Sequence, residues 1–501
     1  MMELIKNELN NAKAMTVTEN GALGYQSAGS ALVDINYKVS SLRQADEDEI
    51  IALFDAAFKE NKEYALKWLF FARDVREGLG ERRLFRICYK RLHQLDINAY
   101  KNNLINIAEY GRWDDLVSLI GISYGSDEHI GAIINEQLQK DLIYCENDKP
   151  ISLLAKWLPS ENASSKTTKM LAKRVRKLLN LSPRMYRLML SRLRSYSNVV
   201  EVKMCNNQWY DIDYEKVPSL ANLKYKNAFM EHDQSRRLEY LASVSKGESK
   251  LNMAVATPVD IVSRYGTWYT MKDIDPTLEL AWKNLKDIMV DDTLVVADGS
   301  GSMTVPVSGN ISALDVANGL AIYTSEHNGG VYRNKYITFS GHPEFVEFDE
   351  DDSLHTKLRI ARQHNEVANT NIEAVFDLIL ATAIKNNILQ DEMVKNVLII
   401  SDMEFDRAQK GWMGSSLLTQ SLFDDIKNRY IQAGYKLPRL IFWNVNSRTQ
   451  AIPLTENELG VALVSGFSQN VLKMVMSSKY DPYEVLVETI TAPRYDRIVI
   501  F

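Results

Sequence analysis

The sequence predicts a two-part fold of class α+α/β, in which a region of α-helical repeats precedes an α/β region with a mostly parallel sheet. Three observations support this prediction. The chain has 501 residues, which is too long for a single hydrophobic core. Apolar residues recur at three- and four-residue spacing over residues 46–290, as in amphipathic helices. Over residues 291–501, short β-branched runs alternate with helical stretches, as in a parallel sheet covered on both faces.

The N-terminal 290 residues divide into an arm and a helical region. Residues 1–45 are polar with glycine-containing turns, and we predict an extended arm that lies on one of the domains. The segments DEDEIIALFDAAFKEN, KEYALKWLFFARDVREG, RRLFRICYKRLHQL, NAYKNNLINIAEYG and DLVSLIGIS have helical periodicity. Gly78, Gly80, Gly111 and Pro159 lie near the ends of such segments. Successive amphipathic helices with short connections predict stacked helix pairs with degenerate repeats.

The C-terminal region, residues 291–501, reads as alternating strands and helices. TLVVAD, KYITFSG, EFVEFD, KNVLIISD, RLIFWNVN and GVALVSG are the predicted strands. The predicted helices are SALDVANGLAIYTSEH, TNIEAVFDLILATAIKN, SLLTQSLFDDIKNRYIQAG and a last one near 481–491. In such sheets ligands bind beyond the carboxyl ends of the strands, so residues at those ends are the candidates for a site.

Composition and charge limit the function classes. Hydrophobic residues make up 46% and charged residues 25%, as in ordinary soluble proteins. Neither a long apolar run nor a signal-peptide pattern is present, and Cys88, Cys145 and Cys205 have no metal-ligand or disulfide spacing. We therefore expect a location in the cytoplasm, either of a cell or of an infected host, and no membrane partner. Residues 291–501 carry a net charge of −9 and residues 1–290 carry +3, which suggests modules with different partners.

Oxygen-bearing side chains at the strand ends predict a metal site. Asp298 ends the strand TLVVAD, and Ser300 and Ser302 follow it in a loop in which glycines allow a sharp bend. Asp402 ends the strand NVLIISD, and Thr370 opens the helix between the two strands. Oxygen donors without His or Cys suit Mg²⁺, with Ca²⁺ and Mn²⁺ as alternatives.

These residues resemble the metal-ion-dependent adhesion site of von Willebrand factor A domains. The resemblance covers residues 291–501 and implies that Ser300, Ser302 and Thr370 coordinate the metal, while Asp298 and Asp402 often act through water. It also implies that an acidic group of a protein partner completes the shell. The alternatives are a vestigial site or one that is only structural.

The sequence gives less support to other functions of the same loops. Glu404 and Asp406 follow Asp402, and we predict that both are solvated at the surface, with a position at the rim of the metal site as the alternative. A haloacid dehalogenase would need a second Asp at position 300, where this chain has Ser. No motif places a His for a serine hydrolase. We therefore expect that the protein is not an enzyme.

A basic segment in the helical region predicts an anionic partner. Lys156–Arg194 contains eleven Lys and Arg residues and one acid, Glu161. Such a density of like charge favours phosphates as the partner, although a solvated helix face is the alternative. The candidate RNA-binding residues are Lys166, Lys169, Lys173, Arg174, Arg176, Lys177, Arg184, Arg187, Arg192 and Arg194.

Several segments of the helical region resemble TROVE-type rings of HEAT-like repeats. They are RDVREGLGERR, YGRWDDL, AKWLPS, YRLMLSRLR and VVEVKMCNNQWYDIDYEKVPS. The order of such helices and a C-terminal A domain resembles the Ro-like proteins and a little-characterised family that is often viral or bacterial. The resemblance implies a ribonucleoprotein that binds structured or single-stranded RNA without catalysis. The alternative is a metal-dependent protein-interaction scaffold or a viral structural or packaged protein that does not bind RNA.

Not all arginines of the helical region are expected to bind phosphate. Arg73, Arg76, Arg82, Arg83 and Arg112 resemble ring-building residues. Because acidic residues lie beside them in the sequence, we predict intramolecular ion pairs. Those acidic residues are Asp74, Glu81, Asp114 and Asp115.

Overall fold

The computed structural model describes residues 15–197, 199–290, 292–339, 343–365, 371–406 and 422–500. The chain forms two compact units. The first, which we call the sheet unit, contains the chain up to Ala65 together with Met253–Ala492, and the second, the helical unit, contains Leu66–Asn252 and Pro493–Phe501. The α+α/β class is thus confirmed.

The sheet unit contains a six-stranded mixed sheet. Its strands lie in the order β10-β9-β8-β3-β6-β7, and all neighbours are parallel except β6 and β7. The strands of this unit are β1 (Met15–Val17), β2 (Leu23–Tyr25), β3 (Thr293–Asp298), β4 (Pro306–Ser308), β5 (Ile311–Ser312), β6 (Lys335–Phe339), β7 (Glu344–Glu347), β8 (Asn396–Ser401), β9 (Arg439–Asn444) and β10 (Val461–Ser465). Every residue of β3, β9 and β10 is buried, as expected for strands covered on both faces.

Helices cover this sheet. Helix Ala313–Glu326, which packs against β3, β6 and β8, is buried along almost its whole length. Ser312 caps it, since its hydroxyl accepts a hydrogen bond from the Asp315 amide and donates one to the Asp315 carboxylate. The helices of the unit are Ala31–Lys38, Glu47–Glu60, Pro258–Val262, Pro276–Lys283, Ala313–Glu326, Leu354–Gln363, Ile372–Asn386, Leu422–Gln432, Leu472–Val475 and Pro482–Ile490.

The helical unit is built from helices of mixed length. They are Lys62–Arg73, Arg82–Leu95, Ile97–Asn103, Ile107–Tyr110, Trp113–Val117, Tyr124–Glu146, Leu154–Trp157, Lys166–Leu178, Pro183–Tyr196, Val200–Cys205, Ser219–His232 and Gln234–Ser245. The predicted helix over NAYKNNLINIAEYG is interrupted at Leu104–Asn106, and DLVSLIGIS is helical only in its first residues. In the parts of the chain that are described, no helix is both long and apolar enough to cross a bilayer.

Ion pairs of buried and half-buried arginines organise the first helices of this unit. The Arg73 guanidinium donates to Asp115 from Nε and Nη2 over 2.9 and 2.7 Å, and both side chains are buried. Arg86 also donates to Asp115, and Arg112 binds Asp114 through two hydrogen bonds. The predicted intramolecular pairs are thus confirmed at Arg73 and Arg112.

The boundaries of the units differ from those predicted at residues 45 and 290. Residues 15–65 and 253–290 pack with the sheet. The predicted arm contains a helix, Ala31–Lys38, whose Leu32, Ile35 and Tyr37 are buried. Asn36 and Ser40, at and just after this helix, hydrogen-bond to β10 and the residue that follows it. Hydrophobic burial against the sheet edge, which periodicity alone does not reveal, holds this segment in place.

Removal of the Asp115 carboxylate should destabilise the helical unit strongly. We expect Asp115→Ala to cost about 3–5 kcal/mol, because it leaves the buried Arg73 charge without its partner. Urea unfolding followed by circular dichroism measures the effect. The control is Glu136→Ala, which breaks the exposed Lys140–Glu136 pair and should cost less than about 1 kcal/mol. Equal effects of the two substitutions would contradict the assignment.

Candidate metal site and basic helix pair

Two acidic side chains meet at the carboxyl edge of the sheet. β3 ends at Asp298, and Asp402 directly follows the end of β8. The two strands are adjacent and parallel, with Ala297 opposite Ile400. Asp298 is 1% exposed and Asp402 is 0% exposed. Both carboxylates are therefore held at one edge of the sheet and removed from bulk water.

Hydroxyl groups surround this acid pair. Ser401 donates from Oγ to Asp298 Oδ2 over 2.6 Å, and the Ser300 amide donates to Oδ1 over 2.9 Å. The hydroxyls of Ser300 and Ser302 lie 3.1 Å apart, and the Ser302 side chain acts to lower the pKa of Asp402. Four of the five predicted metal-site residues are thus brought together. The fifth, Thr370, lies outside the described residues.

Burial opposes the negative charge on both carboxylates. It raises the pKa of Asp298 to about 6, although hydrogen bonds from Ser300 and Ser401 oppose the change. Burial, and then the charge of Asp298, raise the pKa of Asp402 to about 7, while Arg448 acts in the opposite direction. The pair repels itself in a medium of low dielectric, so a cation placed between them would be strongly stabilised.

One arginine supplies part of the positive charge that would balance the acid pair. Arg448 Nη1 lies 3.2 Å from Asp402 Oδ2, and its guanidinium also pairs with Glu19. Asp402 Oδ2 accepts no hydrogen bond from the described residues. Neither Arg448 nor Ser401 is among the residues that the sequence predicts for this site. Ser401 stands beside Asp402 in the strand-end motif, whereas no local pattern marks Arg448.

The donor set suits a hard divalent cation. Two carboxylates and two hydroxyls supply oxygen ligands and leave positions for water or an outside group. Ser302 is partly exposed, so one side of the set is accessible. Among the described residues no cluster of three or more His, Cys, Asp or Glu forms an alternative centre. The residues therefore fit Mg²⁺, Ca²⁺ or Mn²⁺, and Asp298, Ser300, Ser302 and Asp402 would hold the ion.

The prediction that Glu404 is solvated at the surface is wrong. Glu404 is 0% exposed. Its carboxylate accepts from the amides of Arg448 and Thr449 over 2.7 and 2.8 Å, and from the amide of Glu19 over 2.8 Å. Backbone donors from distant segments satisfy the charge, so Glu404 joins loops together beside the metal candidates. Asp406 is partly exposed and pairs with Gly21 in an isolated bridge.

The basic segment forms two consecutive helices, Lys166–Leu178 and Pro183–Tyr196, which we call the basic helix pair. No acid occurs between Asn162 and Val200. Of the candidate RNA-binding residues, the exposed ones are Lys166, Lys169, Lys173, Arg174, Lys177, Arg184, Arg187 and Arg192. Arg192 pairs with Glu146 over 3.4 Å. Within the described residues, no carboxylate lies within 4 Å of the other seven.

Two of the predicted residues have structural bonds instead. Arg176 donates to Glu161 over 2.8 Å and to the Leu181 carbonyl. Arg194 donates to the carbonyls of Ala155 and Leu158 and to the Ser160 hydroxyl. Both guanidiniums are therefore used within the fold, where they fix the loop that precedes the basic helix pair.

Comparisons with known proteins find relatives of unknown function. The family model "Domain of unknown function (DUF2828)" matches residues 18–128 and 127–293, and "Domain of unknown function (DUF7788)" matches residues 292–491. "Uncharacterized protein L728" of Acanthamoeba polyphaga mimivirus is 30% identical over 517 residues, covering 95% of this chain and 87% of that protein. The crystal structure of the Deinococcus radiodurans RO (RSR) protein aligns with 93% of this chain and 99% of its own at 12% identity and a TM-score of 0.38. This structural similarity is too low to establish a shared fold or function.

The acid pair should make the metal-free sheet unit less stable as the pH rises. The folded state raises both carboxyl pKa values above 3.8, so it binds more protons than the unfolded state between about pH 4 and 7. The free energy of unfolding should therefore fall through this window. Thermal unfolding in EDTA at pH 5 and pH 8 measures the change. Asp402→Asn should reduce the difference, and a pH dependence identical to the wild type would contradict the pKa assignments.

A divalent cation should reverse this loss. At pH 8 we expect millimolar Mg²⁺ or Mn²⁺ to raise the melting temperature by several degrees, because the ion neutralises the acid pair and binds only the folded state. In Asp298→Asn most of this rise in melting temperature should be lost. Differential scanning calorimetry measures the melting temperatures. The control is Asp391→Asn at an exposed position, which should keep the rise. An equal increase in all three proteins would place the binding elsewhere.

Proposed function

The chain belongs to the DUF2828 family, and from that premise we propose that it is a non-catalytic RNA-binding protein. The proposal rests on one observation, namely seven exposed cations of the basic helix pair with no carboxylate within 4 Å among the described residues. The resemblance of the helical segments to TROVE-type, Ro-like proteins supports the same function. The RNA would bind through its phosphates.

Physical reasons favour phosphate as the partner of this surface. Like charges on two adjoining helices repel one another and destabilise the helices that carry them. RNA phosphates would relieve this repulsion and release their own counterions, so binding would be strongly salt-dependent and tolerant of sequence. Tyr186 is buried, and its hydroxyl donates to the Pro159 carbonyl, so it would not stack on a base.

We further propose that the sheet unit is a von Willebrand A-like domain with a Mg²⁺ site, with Ca²⁺ and Mn²⁺ as alternatives. The buried acid pair, its ring of hydroxyls and its position at the carboxyl edge support this assignment. The ion would supply a coordination position for an oxygen ligand. Asp298 and Asp402 would balance its charge, often through water, while Ser300, Ser302 and Thr370 would coordinate it. The expected outside ligand is an acidic group of a protein partner.

The alternative function is a metal-dependent interaction scaffold, or a viral structural protein, that does not bind RNA. The partly exposed Ser302 beside two buried carboxylates favours it, because an outside ligand could reach the ion there. A pull-down of partner proteins in Mg²⁺ and in EDTA, with Asp298→Asn as control, tests this function separately from RNA binding.

RNA binding should depend steeply on salt and on the basic helix pair. If about five phosphates are neutralised on a single strand, the affinity should fall about 100-fold between 50 and 200 mM salt. Lys169→Glu/Lys173→Glu should weaken binding by at least tenfold at 50 mM salt. Filter binding of a labelled unstructured RNA and of a hairpin RNA measures both effects.

The matched control for charge reversal is Lys246→Glu/Lys250→Glu. These lysines are also exposed and lie in the same unit, and their reversal changes the net charge by the same amount. The affinity of this control variant for RNA should remain within about threefold of the wild type, since salt screens long-range charge interactions. Equal losses in both double variants, or no retention of RNA at low salt, would exclude the basic helix pair as the binding surface.

A further inference from the structure

A cavity lies in the sheet unit, at the edge of the sheet opposite the acid pair. Thr293, Asn396 and Arg439, which begin β3, β8 and β9, line it together with the segment that follows helix Leu472–Val475. Its volume is about 410 Å³, which is enough for a small organic molecule. Neither metal binding nor RNA binding in the proposed function uses this cavity.

The cavity contains a buried positive charge that lacks a counter-ion. Arg439 is only 9% exposed. Its Nη1 donates to the Val475 carbonyl over 2.7 Å, its Nη2 lies 3.4 Å from the Lys479 carbonyl, and its Nε has no hydrogen-bond partner among the described residues. No described carboxylate lies within 4 Å of this guanidinium. Burial lowers its pKa, yet an arginine stays protonated.

This arrangement contrasts with that of Arg73, a buried arginine whose charge is neutralised inside the fold. Arg73 is buried and binds Asp115 through two hydrogen bonds. A buried charge without a counter-ion destabilises the fold, and the two backbone carbonyls that Arg439 contacts do not neutralise its charge. An anion that enters the cavity would supply the missing charge.

The remaining walls define the chemistry of the ligand. No acidic residue lines the cavity among those that the structure describes, and Lys395 adds a second positive charge. Ser478 and Tyr480 provide hydroxyls, while the Ser477 hydroxyl is used by Glu488. Met393, Leu459, Val475 and Met476 form an apolar wall. The ligand therefore needs an anionic end and an apolar end.

We propose that this cavity binds a small organic anion, whose phosphate or carboxylate group pairs with Arg439 while its apolar part contacts Met393, Val475 and Met476. The ligand would bind at the amino ends of the strands, on the other edge from the metal candidates. The site is thus independent of both proposed activities.

Isothermal titration calorimetry on the full chain, with hexyl phosphate and hexanoate as probes, tests the proposal. At least one probe should bind. We expect hexanol to show no binding and inorganic phosphate to bind more weakly than hexyl phosphate, on the order of tenfold or more, because it buries no apolar surface. A stronger response to hexyl phosphate identifies a phosphate ligand, and a stronger response to hexanoate identifies a carboxylate ligand.

Two variants address the cavity by different means. Arg439→Met removes the charge and keeps an apolar stem, and Met476→Glu adds a negative charge at an exposed wall position. Both should weaken binding at least tenfold. Lys436→Met is the matched control, because Lys436 is exposed and pairs with Glu458 outside the cavity. This variant should bind the anionic probes with the affinity of the wild type.

Thermal unfolding provides a second readout that does not depend on heat of binding. At ten times the dissociation constant, the better probe should raise the melting temperature of the wild type by about 3 °C. The increase should disappear in Met476→Glu, which remains informative if Arg439→Met does not fold. Unchanged affinity in both variants, equal binding of hexanol, or no binding of either anionic probe would overturn the proposal.

Discussion

The burial of charge at the two edges of one parallel sheet constrains the rest of the sheet unit. Asp298, Asp402 and Arg439 are buried at strand ends, so each of these charged side chains must find its partner within the fold or in a ligand. Asp298 and Asp402 share one edge, with Arg448 as the neighbouring cation. At the opposite edge Arg439 is bonded to backbone carbonyls. Each edge thus holds a buried charge that attracts a ligand of the opposite charge.

The surrounding loops are arranged to keep the acid pair in place. Glu404 accepts hydrogen bonds from backbone amides of the segment that contains Arg448 and from Glu19 near the N-terminus. Thr18 donates to the Phe405 carbonyl over 2.7 Å. Segments almost 400 residues apart in the sequence therefore close around the candidate metal site. Such fixed geometry lowers the cost of ordering ligands when an ion binds.

The helical unit separates structural arginines from those available to a partner. Arg73, Arg176 and Arg194 are used by carboxylates and carbonyls of the fold, whereas most cations of the basic helix pair extend into solvent. The same residue type thus serves two purposes, and burial and local acids distinguish them. Tyr186, which lies between these cations in the sequence, also packs inside the unit.

The sequence alone predicted the class of the fold, the six strands of the main sheet and five candidate metal ligands, of which the structure describes four. These features depend on local periodicity and on strand-end motifs, which a short window contains. Tertiary structure alone decided that residues 15–65 and 253–290 pack with the sheet, that Glu404 is buried, and that Arg448 and Arg439 lie where they do. Those outcomes depend on contacts between residues distant in the chain, and no local pattern of side chains encodes them.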